Sequence, residues 1–281
     1  MKRIFVIALA AFLAFPSGTE ARSKKDSCNE LKVISYNIRN GEAKDGTNSW
    51  MYRYAASSAM INDQKPDIFG VQEAYDYQVK YLEEYCKDYK SVGVGRENGK
   101  HEGEHMSIFY NKKTISLIKW GTFWLSETPG KPSMGWDAAC SRTATWALMK
   151  DKRSGKKFYY VNTHLDHVGK VAQREGLKLI VDRISSINPE GYPMILTGDF
   201  NVTPDDGILV DLDNCMKSAR IYAEKTDNKG TFTDWGKCSS VIDYIYYSGF
   251  SKCRQFRTVT DSYNDRKFIS DHYPVSAILV F

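Results

Sequence analysis

The sequence predicts a layered α/β fold with mixed or antiparallel sheets. Many short apolar runs of strand length are bounded by turn residues, and a few longer stretches between them repeat at helical spacing. Polar residues stand where the apolar runs end. No Pro/Ser-rich linker, low-complexity tract or internal repeat divides the chain, so one domain is expected.

In order along the chain, Lys2 and Arg3 precede an unbroken apolar stretch from Ile4 to Phe15. It is too short for a bilayer span of about twenty residues but suits a signal-peptide core. Ser17, Gly18 and Ala21 supply small residues for cleavage, so residues 1–21 are read as a signal peptide and 22–281 as the domain. An exported protein, periplasmic or extracellular, is expected. The first cysteine, Cys28, lies behind Lys24, Lys25 and Asp26, which argues against lipidation. No other segment is long and apolar enough for a membrane helix.

Leu31 to Tyr36 alternates toward a strand that runs into Asn37. Tyr52 to Ile61 is alanine-rich and helical, Pro66-Asp67 ends the connection, and Ile68 to Val71 restarts as a strand. Val79, Leu82 and Cys86 recur at helical spacing. Met106 to Tyr110, Trp120 to Leu125, Thr143 to Met149 and Phe158 to Asn162 read as strands. Leu177, Ile180, Ile184 and Ile187 share one face of a helix over 171–187. Met194 to Leu196, Val241 to Tyr247 and Val275 to Phe281 complete the strands.

The 281-residue chain carries a formal charge of +5, and removal of Lys2, Arg3 and Glu20 with the leader lowers it by one. This mild basicity permits polyanionic substrates but lacks the dense basic patch of a dedicated nucleic-acid binder. Lys152, Arg153, Lys156 and Lys157 cluster around Gly155 and read as a solvated hairpin turn. Six cysteines in an exported chain allow fifteen complete disulfide pairings, and neither these nor buried thiols are favoured. None shows metal-site spacing. No obligate protein partner is evident.

The break after Met194–Leu196, in Thr197-Gly198-Asp199-Phe200-Asn201, concentrates the chemistry. Gly198 is expected to let the backbone bend. Asp199 and Asn201, spaced by two, point the same way if the chain stays extended. A carboxylate beside a carboxamide at a strand end holds a hard cation, a water or a phosphate oxygen. Asn37, Glu73, His164, Asp243, Asp271 and His272 also stand at strand ends, where ligands converge in layered α/β folds. Individually each has an ordinary explanation, such as a turn former, a helix-dipole partner or a structural histidine. Their order and local context change the balance.

The stretches SYNIR (35–39), VQEA (71–74), GEHMSIFY (103–110), NTHLDH (162–167), GDFN (198–201), IDYIYYS (242–248) and SDHYPV (270–275) together resemble the endonuclease/exonuclease/phosphatase superfamily. That superfamily includes pancreatic-type DNases, neutral sphingomyelinases and inositol-polyphosphate 5-phosphatases. The resemblance spans nearly the whole mature chain, and GDFN with SDHxPV is its specific part. It implies a four-layer α/β sandwich, two facing, mostly antiparallel sheets flanked by helices, with the site at one end.

The resemblance also implies roles. Glu73 is the principal ligand of Mg²⁺, with Asn37 and Asp271 nearby, and Mn²⁺ or Ca²⁺ are substitutes; a sparse oxygen set suits such hard cations. Asp199 orients and deprotonates the attacking water, and Asn201 fixes the phosphate or nucleophile. His164 and His272 contact the non-bridging oxygens, and Asp243 orients His272 and keeps it protonated. Glu104 matches a carboxylate that pairs with the equivalent of His164 in some members. The reaction implied is metal-assisted in-line attack on phosphorus.

His164-Leu165-Asp166-His167 invites a zinc reading, but catalytic zinc wants three tight ligands and no third is apparent. His167 is placed at the rim, against substrate or water, and Arg142 is a candidate phosphate contact. His101 and His105 are expected to be exposed or structural. The segment 122–139, with Trp124, Trp136 and Met134, suits stacking on a substrate or covering the core. The substrate is a phosphate ester: nucleic acid, a phospholipid headgroup or a sugar phosphate. A phosphodiesterase is expected, with a scavenging extracellular nuclease as one alternative and a catalytically silent binding module as another.

Overall fold

Runs buried on both faces set the middle of the molecule. The computed structural model describes residues 29–281, so the signal segment and Cys28 lie outside it. β1 (Glu30–Asn37) is buried along nearly its whole length and leads to α1 (Trp50–Gln64), which stops at Lys65 in a left-handed conformation just before Pro66. β2 (Ile68–Gln72), α2 (Asp76–Tyr85), β3 (Tyr89–Val92) and β4 (Ile108–Asn111) follow. Then come β5 (Ile115–Trp124), β6 (Thr143–Asp151), β7 (Lys157–His164), α3 (Lys170–Ile187) and β8 (Met194–Asp199). Two short helices, α4 (Val210–Cys215) and α5 (Ala219–Tyr222), flank β9 (Lys217–Ser218). The chain ends with β10 (Ala223–Lys225), β11 (Asp243–Ser248), β12 (Lys252–Thr258) and β13 (Val275–Val280).

Two mixed sheets result, ordered β10-β12-β13-β1-β2-β4-β3 and β5-β6-β7-β8-β11-β9. One apolar cluster fills the space between them, with Leu31, Val33, Tyr160, Ile195 and Leu279 fully buried. A second lies under α3, where Leu177, Ile180 and Ile184 face Leu196 and Tyr244. A third lies under α1 and α2 on the outer face of the first sheet, including Met60, Ile61 and Leu82. Three apolar seams between helix, sheet, sheet and helix make the four-layer α/β sandwich.

The expected strands and helices all form. β3 and β12 carried too little apolar signal: the first buries only its end residues, and the second, KCRQFRT, is bulged between Cys253 and Gln255. Gly198 differs from expectation. It lies inside β8, where an added Cβ would meet the Thr163 carbonyl at 2.4 Å, so it serves close approach to β7 and not a bend. Cys86, Cys140, Cys215, Cys238 and Cys253 are free thiols. No helix among the described residues is long and apolar enough to cross a membrane.

A buried polar seam joins the two sheets. Asn162 on β7 donates to the Val71 carbonyl at 2.8 Å and accepts from Gln72 Nε2 at 2.7 Å, and Thr197 Oγ1 lies 3.0 Å from its Oδ1. Gly70 makes the room, since a Cβ there would stand 2.4 Å from Asn162 Oδ1.

Candidate active site

Strand direction gathers the site. β1 and β2 run parallel, as do β7 and β8, so Asn37, Glu73, His164 and Asp199 all emerge at one end of the sandwich. β11 and β13 run the other way and begin there, contributing Asp243 and, just before β13, Asp271 and His272. The register sets His164 beside Asp199 and Asp199 beside Asp243 in one row across three strands. A pocket of about 410 Å³ opens over them.

The backbone is bent on purpose at this end. Arg39, Glu73 and Asn201 have φ of 60°, 63° and 53°, in the left-handed region that costs a non-glycine residue about 1–2 kcal/mol. Each lies within two residues of the end of a strand. At Asn201 the chain is therefore not extended: its N–H donates to Asp199 Oδ1 at 2.9 Å, and its Nδ2 donates to His164 Nε2 and the Leu165 carbonyl, both at 3.0 Å.

Asn37 is the hub. Its Nδ2 donates to Glu73 Oε1 and to Asp199 Oδ2, each at 2.9 Å, while its Oδ1 accepts from the Arg39 N–H at 3.0 Å. The amide presents hydrogens to two carboxylates that would otherwise repel each other. Glu73 also accepts from the Asn40 N–H at 2.8 Å. Burial pushes its carboxyl up, but the Asn37 bond, the His272 charge, the Asn40 N–H and Arg39 outweigh that and hold it below the usual range.

Asp199 is fully buried, and burial raises it to about 7, with His272 opposing and Asp243 adding to the rise. His272 donates from Nδ1 to Asp243 Oδ2 at 2.8 Å, and its Nε2 stands 3.6 Å from Asp199. Burial pulls His272 down, but Asp243 and Asp199 overcome it and raise it to about 10, so the ring is an imidazolium at neutral pH. His164 is held neutral by burial and by the nearby charges of Arg142 and Arg96. Its buried Nδ1 has no partner among the described residues. Asp271 is raised by burial against the pull of His272, and it pairs with Arg39 Nη1 at 3.4 Å.

Glu73, Asp199 and His272 offer ligand atoms within 4.8 Å of one another. A hard cation prefers oxygen, and His272 is held by Asp243, so the donors that fit are the carboxylate oxygens of Glu73 and Asp199, with Asp271 nearby.

Glu104 is also placed differently than expected. It pairs with Arg96 at 2.6 Å and not with His164. A hairpin causes this: Gly95 and Ala74 both bridge to His105, and the Arg96 N–H donates to the Glu104 carbonyl at 3.0 Å. Arg96 and Asn40 were missed in the sequence. Arg96 sits in a polar loop with no periodic signal, although Asn40 directly follows SYNIR. His101 is exposed on Asp76, and His105 is buried and structural. His167 and Arg142 both line the pocket, joined Nη2 to Nδ1 at 2.9 Å.

A different set clusters within 4.8 Å, Cys140, Asp166 and His167, and His164 is not part of it. Arg142 already fills that seat, donating to Asp166 at 3.3 Å and to His167. Trp124 is buried and donates to the Arg96 carbonyl, covering the core under the hairpin.

A profile of the Endonuclease/Exonuclease/phosphatase family matches residues 34–272. The chain is 34% identical to a solved mannosyl-6-phosphatase of Bacteroides thetaiotaomicron, covering 89% of this chain and all of that one, with a TM-score of 0.85. It is 36% identical to an endonuclease/exonuclease/phosphatase of Bacteroides vulgatus, over 89% and 98% of the two chains, with a TM-score of 0.84. An uncharacterised protein of Acanthamoeba polyphaga mimivirus is 26% identical over 88% of this chain and 99% of its own length. With its sandwich, its row of strand-end residues and these matches, the chain belongs to the endonuclease/exonuclease/phosphatase family of hydrolases that act on phosphoric ester bonds.

Proposed function

We propose that this chain is an exported, divalent-metal-dependent phosphoesterase that hydrolyses the phosphate ester of a sugar. The observation that carries the chemistry is geometric: buried Asp199 Oδ2 lies 3.6 Å from His272 Nε2, whose Nδ1 is held on Asp243 at 2.8 Å, and burial raises the Asp199 carboxyl toward neutrality. A carboxylate with that affinity for protons suits a general base near neutrality. Asp199 takes a proton from a water, and the resulting oxygen attacks phosphorus in line with the ester oxygen. The P–O bond to the alcohol breaks with its electron pair left on the ester oxygen, which takes a proton from solvent as Asp199 returns its own to solvent, giving inorganic phosphate and the alcohol.

Asn37 and the Asn201 N–H hold the Asp199 carboxylate in one orientation for that transfer. His272, fixed by Asp243, places a positive N–H against the oxygens that gain charge as phosphorus becomes five-coordinate. A divalent cation at Glu73, when bound, supplies positive charge for the phosphate oxygens. Mg²⁺ suits the all-oxygen donors, with Mn²⁺ or Ca²⁺ as substitutes.

Diester and monoester present the same phosphorus to this array. The similarity to a mannosyl-6-phosphatase over nearly the whole chain favours the sugar monoester over the phosphodiester and nuclease readings. Export rests on the basic start and apolar core of residues 1–21. The experiment is hydrolysis of p-nitrophenyl phosphate, bis(p-nitrophenyl) phosphate and mannose 6-phosphate with Mg²⁺ and with chelator, by wild type and Asp199→Ala. Metal-dependent turnover that Asp199→Ala abolishes is expected. Absence of turnover, or an undiminished variant, overturns the reading.

A further inference from the structure

The pocket has two unlike sides. Glu73, Asp199, Asp271 and His272 hold the phosphate chemistry, and Arg96, Glu104, Arg142 and His167 form a second group. Asn40 joins them, donating its N–H to Glu73 Oε2 at 2.8 Å while its Nδ2 reaches Glu104 Oε1 at 3.5 Å. Resting on the phosphoesterase reading, we propose that the second group is a leaving-group subsite, and that it takes an uncharged polyhydroxylated ring by bonding its hydroxyls.

Charge is the first argument. Arg96 is paired with Glu104 at 2.6 Å and Arg142 with Asp166 at 3.3 Å, with every one of these side chains nearly buried. Arg39, the remaining arginine of the pocket, is occupied by Asp45 and Asp271. No guanidinium is left uncompensated to meet a second phosphate or a carboxylate on the leaving group. A chain of phosphodiesters, which needs such contacts along its length, finds none here.

Bonding capacity is the second. Arg96 uses Nε and Nη1, and Arg142 uses Nε and Nη2, which leaves Arg96 Nη2 and Arg142 Nη1 without protein partners among the described residues. Glu104 Oε1 has only the long contact from Asn40. His167 Nδ1 accepts from Arg142, which puts its ring proton on Nε2 as one more donor. Planar donors and an acceptor, side by side with no net charge, complement hydroxyls, each of which both donates and accepts.

The third argument is the lining, which is mostly polar. Among the sixteen lining residues the only aromatic carbocycle is Phe232, and its ring rests on His272 with centroids 4.9 Å apart. That leaves a base one already engaged ring to stack on, and an acyl chain little beyond Phe232 and Ile242 to pack against. The subsite is also stiff. Asp166 accepts from the N–H groups of Ala139, Val168 and Gly169, which pins Arg142 in turn.

The experiment measures kcat/KM with Mg²⁺ for mannose 6-phosphate, mannose 1,6-bisphosphate and p-nitrophenyl phosphate, whose leaving group has no hydroxyl pattern. The ratio of the hexose monophosphate to p-nitrophenyl phosphate should fall about tenfold or more in Arg96→Gln and Arg142→Gln, the size expected for lost bonds to a charged donor. Wild type should also discriminate against a 2-deoxyhexose 6-phosphate relative to its parent sugar, a readout that needs no variant and so survives any misfolding of Arg142→Gln. A ratio unmoved in folded Arg96→Gln with no deoxy discrimination overturns the subsite, as does preference for the bisphosphate. Failure of wild type to turn over any ester instead overturns the phosphoesterase reading itself.

Discussion

His272 Nδ1 stands 2.8 Å from Asp243 Oδ2, and this buried bond ties one sheet to the other. Asp243 opens β11 in the six-stranded sheet, while His272 leads into β13 in the seven-stranded one. His272 lies in the short segment before β13, and the bond anchors its ring to the strand end of the opposite sheet.

Asp243→Asn removes the negative charge and leaves a group of the same shape. The imidazole then loses the partner that keeps it protonated, and kcat should fall about a hundredfold or more. The alkaline limb of the pH–rate profile should move down from about 10 toward neutrality. An unmoved alkaline limb would show that His272 does not act as a cation.

The same bond links stability to pH. The native pKa of His272 is raised above its unfolded value, so its contribution is full below about 6.5 and is lost as pH rises toward about 10. Melting temperature measured without metal should decline across that window more steeply in wild type than in Asp243→Asn. Parallel declines would contradict the linkage.

Asp199 must be ionised to accept a proton, so the acid limb of kcat/KM should lie near 7 at low metal concentration. A cation bound beside Glu73 favours the carboxylate, and saturating Mg²⁺ should shift the limb to lower pH. Asp199→Asn should lose the limb along with the activity. A limb that ignores metal would separate Asp199 from the cation site.

Glu73→Gln tests the cation site without turnover. Mg²⁺ at about a hundred times its Kd should stabilise wild type by about 2.7 kcal/mol. That rise in melting temperature should disappear in Glu73→Gln, and an undiminished rise would place the cation elsewhere.

Asp166→Ala should be among the most damaging single changes outside the phosphate side. It leaves the Arg142 cation buried and three backbone N–H groups without their acceptor, at a cost of about 3–5 kcal/mol in denaturant unfolding. A loss under about 1 kcal/mol would mean that water replaces the carboxylate there.

Much of this was legible in the chain itself because strands announce themselves by apolar runs and their ends by polar residues. Asn37, Glu73, His164, Asp199 and Asp243 each terminate or open such a run, and the motifs around them carry the family resemblance. What escaped was set by contacts across the sheets. Nothing near Arg96 signals that a hairpin bridged through His105 would hand its guanidinium to Glu104. Nothing around Asn37 signals that two converging carboxylates would draw its amide hydrogens inward. Gly198 looked like a hinge because its neighbours form a turn, while the tight spacing to β7 explains it better.

Gly70 has a wider consequence. Its missing side chain lets the Asn162 carboxamide key into the opposite sheet, so neither sheet can slide on the other without stranding buried donors and acceptors. The catalytic row is thus indexed by the interior, like teeth on a locked gear. The loops that carry Arg96, Arg142 and His167 are free to diverge around it. A lineage could exchange one alcohol for another by rewriting those loops while the hydrolytic machinery beneath kept its alignment.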